Sequence, residues 1–261
     1  MSDHVDRGPF AIAIAIVLVL VLVALVATGA IGSSSRHLSP EELAATHRID
    51  ALLDGIPQSG NLLGDPSAPV TLQLFGTIDC PQYREFVGEA MPSLIRRWIR
   101  PGKLRIEFRS LQEGSDPEEE FVRQQVAALA AGRQGRLWNY LEFFFNEQER
   151  QSPNDDDSCS VAEDYPQIAA RQVPGLSLAR WTRELRNRHL ASQVLADVRT
   201  AEENGFAVSP SFLIGRSGTR TASDPVALSL ENTAVFERAI EPVLNDAIEA
   251  LLAGRAPRAY H

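Results

Sequence analysis

Between Phe10 and Ile31 the chain carries no charged residue and no proline. Such a run constrains everything around it, because a helix that is apolar on all sides has no stable place in water. At about 1.5 Å of rise per residue it is about 33 Å long, against about 30 Å for the hydrocarbon core of a bilayer. A helix also satisfies its backbone polar groups internally, which lipid demands. A secretory leader is the competing reading, and Thr28-Gly29-Ala30 has the small residues of a cleavage site. The apolar region of a leader is only about 7–15 residues long, shorter than this run. The run therefore reads as an uncleaved transmembrane anchor over 10–31, with 1–9 as a short tail before it. Arg7 precedes it while Arg36 and Arg48 come after, so positive charge does not choose an orientation.

Beyond the anchor, roughly 220 residues are enough for one domain with a sizeable core or one domain carrying an insertion. The formal charge of −9 argues against nucleic acid as a partner, since phosphate binding needs a basic face to displace counterions. No Lys/Arg stripe with interleaved aromatics is present, and the acidity reads as a self-repelling, soluble surface. Two cysteines, Cys80 and Cys159, make neither a disulfide framework nor a four-ligand metal site. The five histidines (His4, His37, His47, His189 and His261) have no ligand spacing with them. Asp155-Asp156-Asp157 lacks the alternating ligands, central glycine and distal glutamate of a calcium loop and reads as a solvated turn. No metal and no cofactor is implied.

Residues 32–61 read as a linker and a stalk helix. Ser39 is placed to cap that helix, with Pro40 at its first position and acids in its first turn, and Gly55 ends it after about Asp54. Gly64-Asp65-Pro66 and Ala68-Pro69 punctuate the entry to a domain spanning 62–253. Val70 to Phe75 has strand character, a helical pattern runs from Cys80-Pro81 to Arg100, and Lys103 to Phe108 reads as the next strand. Strand, helix, strand is a βαβ unit. The segment 117–190 is helical in pattern, with breaks at Gly132 to Gly135, Ser152 to Ser158 and Pro174-Gly175. Leu137, Trp138, Leu141, Phe144 and Phe145 share one face at helical spacing, which points to core packing rather than a ligand pocket. A helix over 191–204, a buried strand Ser211 to Gly215, a weak strand about Pro225 to Leu230 and an amphipathic helix about Glu231 to Leu252 complete the domain. Residues 254–261 form a C-terminal tail.

Four stretches in this order resemble the DsbA-like branch of the thioredoxin superfamily. Gly64-Asp65-Pro66-Ser67-Ala68-Pro69-Val70-Thr71 is similar to its opening G-D-P-x-A-P-V-T. Phe75-Gly76-Thr77-Ile78-Asp79-Cys80-Pro81 sits where it carries F-x-D-x-x-C-P, and Pro101-Gly102-Lys103-Leu104-Arg105 with Phe108-Arg109 matches its second strand. Asn204 to Gly215 resembles its late loop, G-x-x-G-T-P-x-F-x-x-G. The resemblance implies an α/β thioredoxin-like fold with a helical insertion, a cis Ser209-Pro210 bond facing Cys80, and an extracytoplasmic domain. It also implies that the backbone of Ser209 is offered to an extended peptide, as in strand addition. Three positions depart from the pattern. The motif reads Cys80-Pro81-Gln82-Tyr83, with Tyr83 where the second cysteine belongs; Thr77 replaces an acid; and Val208-Ser209 replaces Gly-Thr.

Cys80 is the expected catalytic residue, framed by Pro81, Gln82, Tyr83, Ser209 and Pro210. Unpaired N–H groups and the dipole at a helix start stabilise a thiolate. Asp79 opposes this by like-charge repulsion, and Arg84 offsets it if it folds back. Cys159 lies between serines in an acidic loop and reads as incidental, for it resolves a Cys80 disulfide only if its Cα comes within about 7 Å. Two functions are compatible with these residues. One is a membrane-anchored monothiol thiol–disulfide oxidoreductase, in which Cys80 forms a mixed disulfide with protein thiols or disulfides and an external thiol resolves it. The other is a redox-inactive thioredoxin-fold domain that binds peptides or serves as a scaffold.

Overall fold

The computed structural model describes residues 39–113, 117–151, 164–218, 226–229 and 233–257. The expected anchor, the aspartate triplet and Cys159 lie outside these residues, and among the described residues no helix is long and apolar enough to cross a membrane. The chain divides into two units, Met1–Leu43 and Ala44–His261. Of the first, only Ser39 and the opening turn of α1 (Pro40–Leu53) are described, where the Leu43 N–H donates to the Ser39 carbonyl at 2.9 Å.

Within the second unit α1 is not a free stalk. Ala45, Ile49 and Leu53, four residues apart and so on one helix face, are all buried, and Ile49 and Leu53 belong to the main core. Each of those two side chains contributes about 1.5–3 kcal/mol by leaving water. Arg100 holds the helix end, donating to the carbonyls of Ala51 (3.1 Å), Leu52 (3.0 Å) and Asp54 (3.1 Å), acceptors that the helix itself leaves open. Gly55, at φ 72°, then reverses the chain. A short hairpin, β1 (Gln58–Ser59) and β2 (Leu62–Leu63), joins the sheet, so the folded domain begins ahead of residue 62.

β3 (Val70–Gly76) and β4 (Leu104–Ser110) are parallel, from Val70↔Leu104 to Gly76↔Ser110. Their buried residues alternate in phase: Val70, Leu72 and Leu74 against Leu104, Ile106 and Phe108. The crossover between them is α2 (Pro81–Glu89), then α3 (Met91–Leu94) running into a π-helical turn, Ile95–Ile99. The single helix expected over Cys80 to Arg100 is thus divided, with Pro92 at the join. The helical insertion comes next as α4 (Glu118–Gly132), α5 (Leu137–Gln151), α6 (Tyr165–Gln172) and α7 (Leu178–Glu184). α8 (Arg188–Glu203) returns to the sheet, where buried Asp197 accepts from the Arg109 guanidinium (2.9 Å) and the Ser110 N–H (3.2 Å). β5 (Ser211–Arg216), β6 (Val226–Ser229) and α9 (Thr233–Leu252) close the fold. The sheet order is β1-β2-β4-β3-β5-β6, antiparallel except for β3 with β4.

α5 is more deeply enclosed than one apolar face requires. Trp138, Leu141, Phe144 and Phe145 are buried as expected, but so are Tyr140 and Phe143 on other faces. Tyr140 meets Trp181 of α7, ring centroids 6.3 Å apart, while Phe145 meets Tyr83 of α2 at 5.7 Å. The helix is gripped from both sides, between the insertion and the βαβ unit.

The docked α1 is open to test. Ile49→Ala is expected to lower stability by about 2–4 kcal/mol in denaturant unfolding of a chain beginning at Ser39. A free stalk would leave the midpoint where it was.

Candidate active site

Strand register brings three loops to one end of the sheet. β3 and β4 finish together at Gly76 and Ser110, and β5 starts opposite Phe75 at Ser211. From β3 the chain turns through Thr77, whose carbonyl accepts the Cys80 N–H at 3.1 Å. Cys80 is the N-cap of α2, extended at φ −76° and ψ 131°, with Pro81 in the first helical position. Its carbonyl accepts the Arg84 N–H at 3.2 Å, opening the helical ladder. The Cys80 sulfur therefore stands where unpaired N–H groups and the helix dipole favour negative charge.

The Ser209-Pro210 peptide bond is cis, and Ser209 is buried. Thr77 stitches the loops together: its N–H donates to Ser209 Oγ at 3.0 Å and its hydroxyl donates to the Leu111 carbonyl. Glu113, three residues beyond β4, completes the cluster. Its Oε2 accepts the Ser209 N–H at 3.0 Å and lies 3.5 Å from Cys80 Sγ. Burial pushes this carboxyl above the ordinary carboxylate range, and the Ser209 N–H partly offsets the rise. The Ser209 N–H is consequently not open to a peptide, contrary to the expectation. Nothing in the local sequence separates Glu113 from the acids that come after it, so its role was invisible before folding.

Cys80 is fully buried and disulfide-bonded. A disulfide sulfur carries no proton, so in this state Glu113 faces Sγ without a hydrogen bond; the reduced thiol has an acceptor at that distance. The bond corrects the reading of Cys80 as a lone thiol. The chain's one other cysteine is Cys159.

Residues 58–229 match the family model described as Thioredoxin. This chain belongs to the thioredoxin family. Its fold is shared with alpha-DsbA1 of Wolbachia pipientis, at 17% identity and a TM-score of 0.56 over 79% of this chain and 96% of that one. BdbD from Bacillus subtilis, in its oxidised form, is 17% identical with a TM-score of 0.53, covering 78% of this chain and 99% of its own. A thioredoxin-like oxidoreductase from Silicibacter pomeroyi is 20% identical with a TM-score of 0.50, covering 77% and 95%. No curated protein sequence matches the chain.

The other expected frame residues of this thioredoxin-family site divide. Gln82 is half-buried beside Cys80, whereas Tyr83 points away from it into the core. The Tyr83 ring packs edge-on against Phe108 (6.3 Å) and Phe145 (5.7 Å), and a Cβ on Gly76 would meet it at 2.3 Å. Burial drives the phenol pKa well above its usual value, and its hydroxyl has no hydrogen-bond partner among the described residues. Arg84 is the residue expected to offset Asp79 by folding back. It lines a cavity of about 340 Å³ with Arg48, Val87, Glu142 and Phe145. Asp79 is buried, and its carbonyl accepts from Gln148 of α5 at 2.7 Å, which ties the insertion to the cysteine loop. Among the described residues no group of three His, Cys, Asp or Glu could hold a metal ion.

Tyr83 is then a packing residue, and two substitutions should separate its ring from its hydroxyl. Tyr83→Phe is expected to raise stability by about 1 kcal/mol, because a buried unpaired hydroxyl is removed. Tyr83→Cys, which would rebuild a two-cysteine motif, is expected to lower it by about 3–5 kcal/mol through the cavity left behind. Denaturant midpoints read both.

Proposed function

We propose that the chain is a membrane-anchored thiol–disulfide oxidoreductase that reacts with protein thiols or disulfides through Cys80, with its domain on the extracytoplasmic side. The observation that carries this reading is a disulfide-bonded cysteine at the N-cap of α2, in a cluster with the cis Ser209-Pro210 loop. In the oxidised state a substrate thiolate attacks Cys80 Sγ and expels its partner sulfur as a thiolate. The mixed disulfide breaks when a second thiolate attacks the substrate sulfur and Cys80 leaves with the electron pair. Two substrate thiols become one disulfide, and the Cys80 disulfide becomes two thiols.

Tyr83 withholds the resolving thiol that the motif usually supplies, so Cys80 acts as the single cysteine of its motif. The resolving thiol comes from elsewhere: from the substrate, from an external thiol, or from Cys159. The redox-inactive alternative, a peptide-binding or scaffold domain, is favoured by one observation, the complete burial of Cys80.

Digestion of the oxidised full chain without reductant, with mass spectrometry of the products, is expected to find the Cys80 peptide joined to the Cys159 peptide. Cys80→Ser is expected to reduce oxidation of a dithiol peptide to the uncatalysed rate, with Tyr83→Phe retaining activity. A Cys80 that exchanges with no dithiol under any redox buffer would leave only the redox-inactive reading, a peptide-binding or scaffold domain. Membranes washed with alkaline carbonate are expected to retain the protein; release of a soluble form cut near Ile31 would show a cleaved leader instead.

A further inference from the structure

Glu113 touches the atom on which exchange chemistry turns, and a second contact holds it there. The Ser209 N–H donates to the same Oε2 that lies 3.5 Å from Cys80 Sγ. Ser209 in turn is fixed by the Thr77 N–H on its hydroxyl. The carboxyl is thus held against the sulfur by the neutral Ser209 N–H. We propose that Glu113 is a further catalytic residue, passing a proton between its carboxyl oxygen and the Cys80 sulfur; this rests on the oxidoreductase reading above.

The step balances without any added cofactor. A resolving thiolate attacks the substrate sulfur of the mixed disulfide, and the old S–S electron pair leaves on Cys80 Sγ. The protonated Glu113 gives its proton to that sulfur and becomes a carboxylate, while the new disulfide joins the substrate and resolving sulfurs. In reverse, the carboxylate takes the proton of the Cys80 thiol, and the thiolate attacks a protein disulfide. Burial of Glu113 suits this use, because a carboxyl raised above its ordinary range holds its proton closer to neutral pH.

Among the described residues, the charged groups on the elements packed near the sulfur are these. Asp79 precedes it in the chain, with its carbonyl held by Gln148. On α5, Glu147 pairs with Arg150 at 2.7 Å. Arg84 of α2 lines the separate cavity, and the cis-proline loop presents the neutral Ser209. A carboxylate and a thiolate this close cannot both ionise freely, so the two groups share one coupled titration.

Ultraviolet absorbance of the thiolate reads that coupling even in a buried site. The test uses the reduced full chain in detergent with Cys159→Ala, so that Cys80 alone contributes. The parent protein is expected to titrate in two overlapping steps. Glu113→Gln is expected to titrate in one step at lower pH, with about tenfold more thiolate at a given pH below the transition, equal to one pKa unit. Glu113→Asp, which keeps the charge but draws it back by one methylene, is expected to fall between, and Glu118→Gln at the exposed start of α4 to change nothing. Titration of both Glu113 variants with the parent's shape and midpoint would overturn the proposal and leave Glu113 as a clasp on Ser209. A normal shift without any Cys80-dependent exchange would instead remove the oxidoreductase reading, and the proton transfer assigned to it.

Discussion

The pairing of β3 with a parallel β4 on one side and an antiparallel β5 on the other decides where the rest of this protein can be. Parallel neighbours end at the same edge, and an antiparallel neighbour begins there. With Gly76 opposite Ser110 and Phe75 opposite Ser211, the loops carrying Cys80, Glu113 and Ser209-Pro210 have one place to meet. The parallel pair also demands a crossover, and α2 with α3 is that crossover. Cys80 stands at the first turn of the connection because the chain must begin a helix there to return.

Around this edge the absence of a second motif cysteine is absorbed by packing. Tyr83 turns inward and fills the space above Gly76 and between Phe108 and Phe145. The ring's burial outweighs its unpaired hydroxyl, since an aromatic side chain removes far more apolar area from water than one phenol oxygen costs. On the other side of Cys80, polar groups do the joining. Thr77, Ser209 and Glu113 bond one another across three loops, so each buried donor finds an acceptor in a neighbour far away in sequence. The insertion takes part through Gln148, which fixes the Asp79 carbonyl from α5.

The helical insertion shows how far periodicity reaches. α4 to α7 fall near the breaks that glycine and proline mark, because those residues act through local backbone geometry. Periodicity on α5 picked out a single apolar face, yet Tyr140 and Phe143 are buried as well. A helix wedged between two layers has no solvent face over its middle, and a pattern of one stripe underestimates it. α1 errs in the same sense. Its stripe of Ala45, Ile49 and Leu53 was present in the sequence, but whether a stripe is covered depends on a surface that only the folded domain provides.

The sequence by itself determined whatever rests on neighbours a few residues apart. Proline after Cys80 starts a helix, Gly55 reverses a chain, and alternation makes strands of 70–76 and 104–110. The resemblance to DsbA-like proteins added the place of the cis bond at Ser209-Pro210, because that match is carried by motifs and their order. The tertiary structure decided the rest of the site. Glu113 against Cys80, the Ser209 N–H already taken, Arg84 turned to a cavity and Tyr83 drawn inside are relations between residues up to 96 positions apart. They arise from the register of three strands and the shape of the space between layers, and no local pattern of side chains encodes which loop tips will touch.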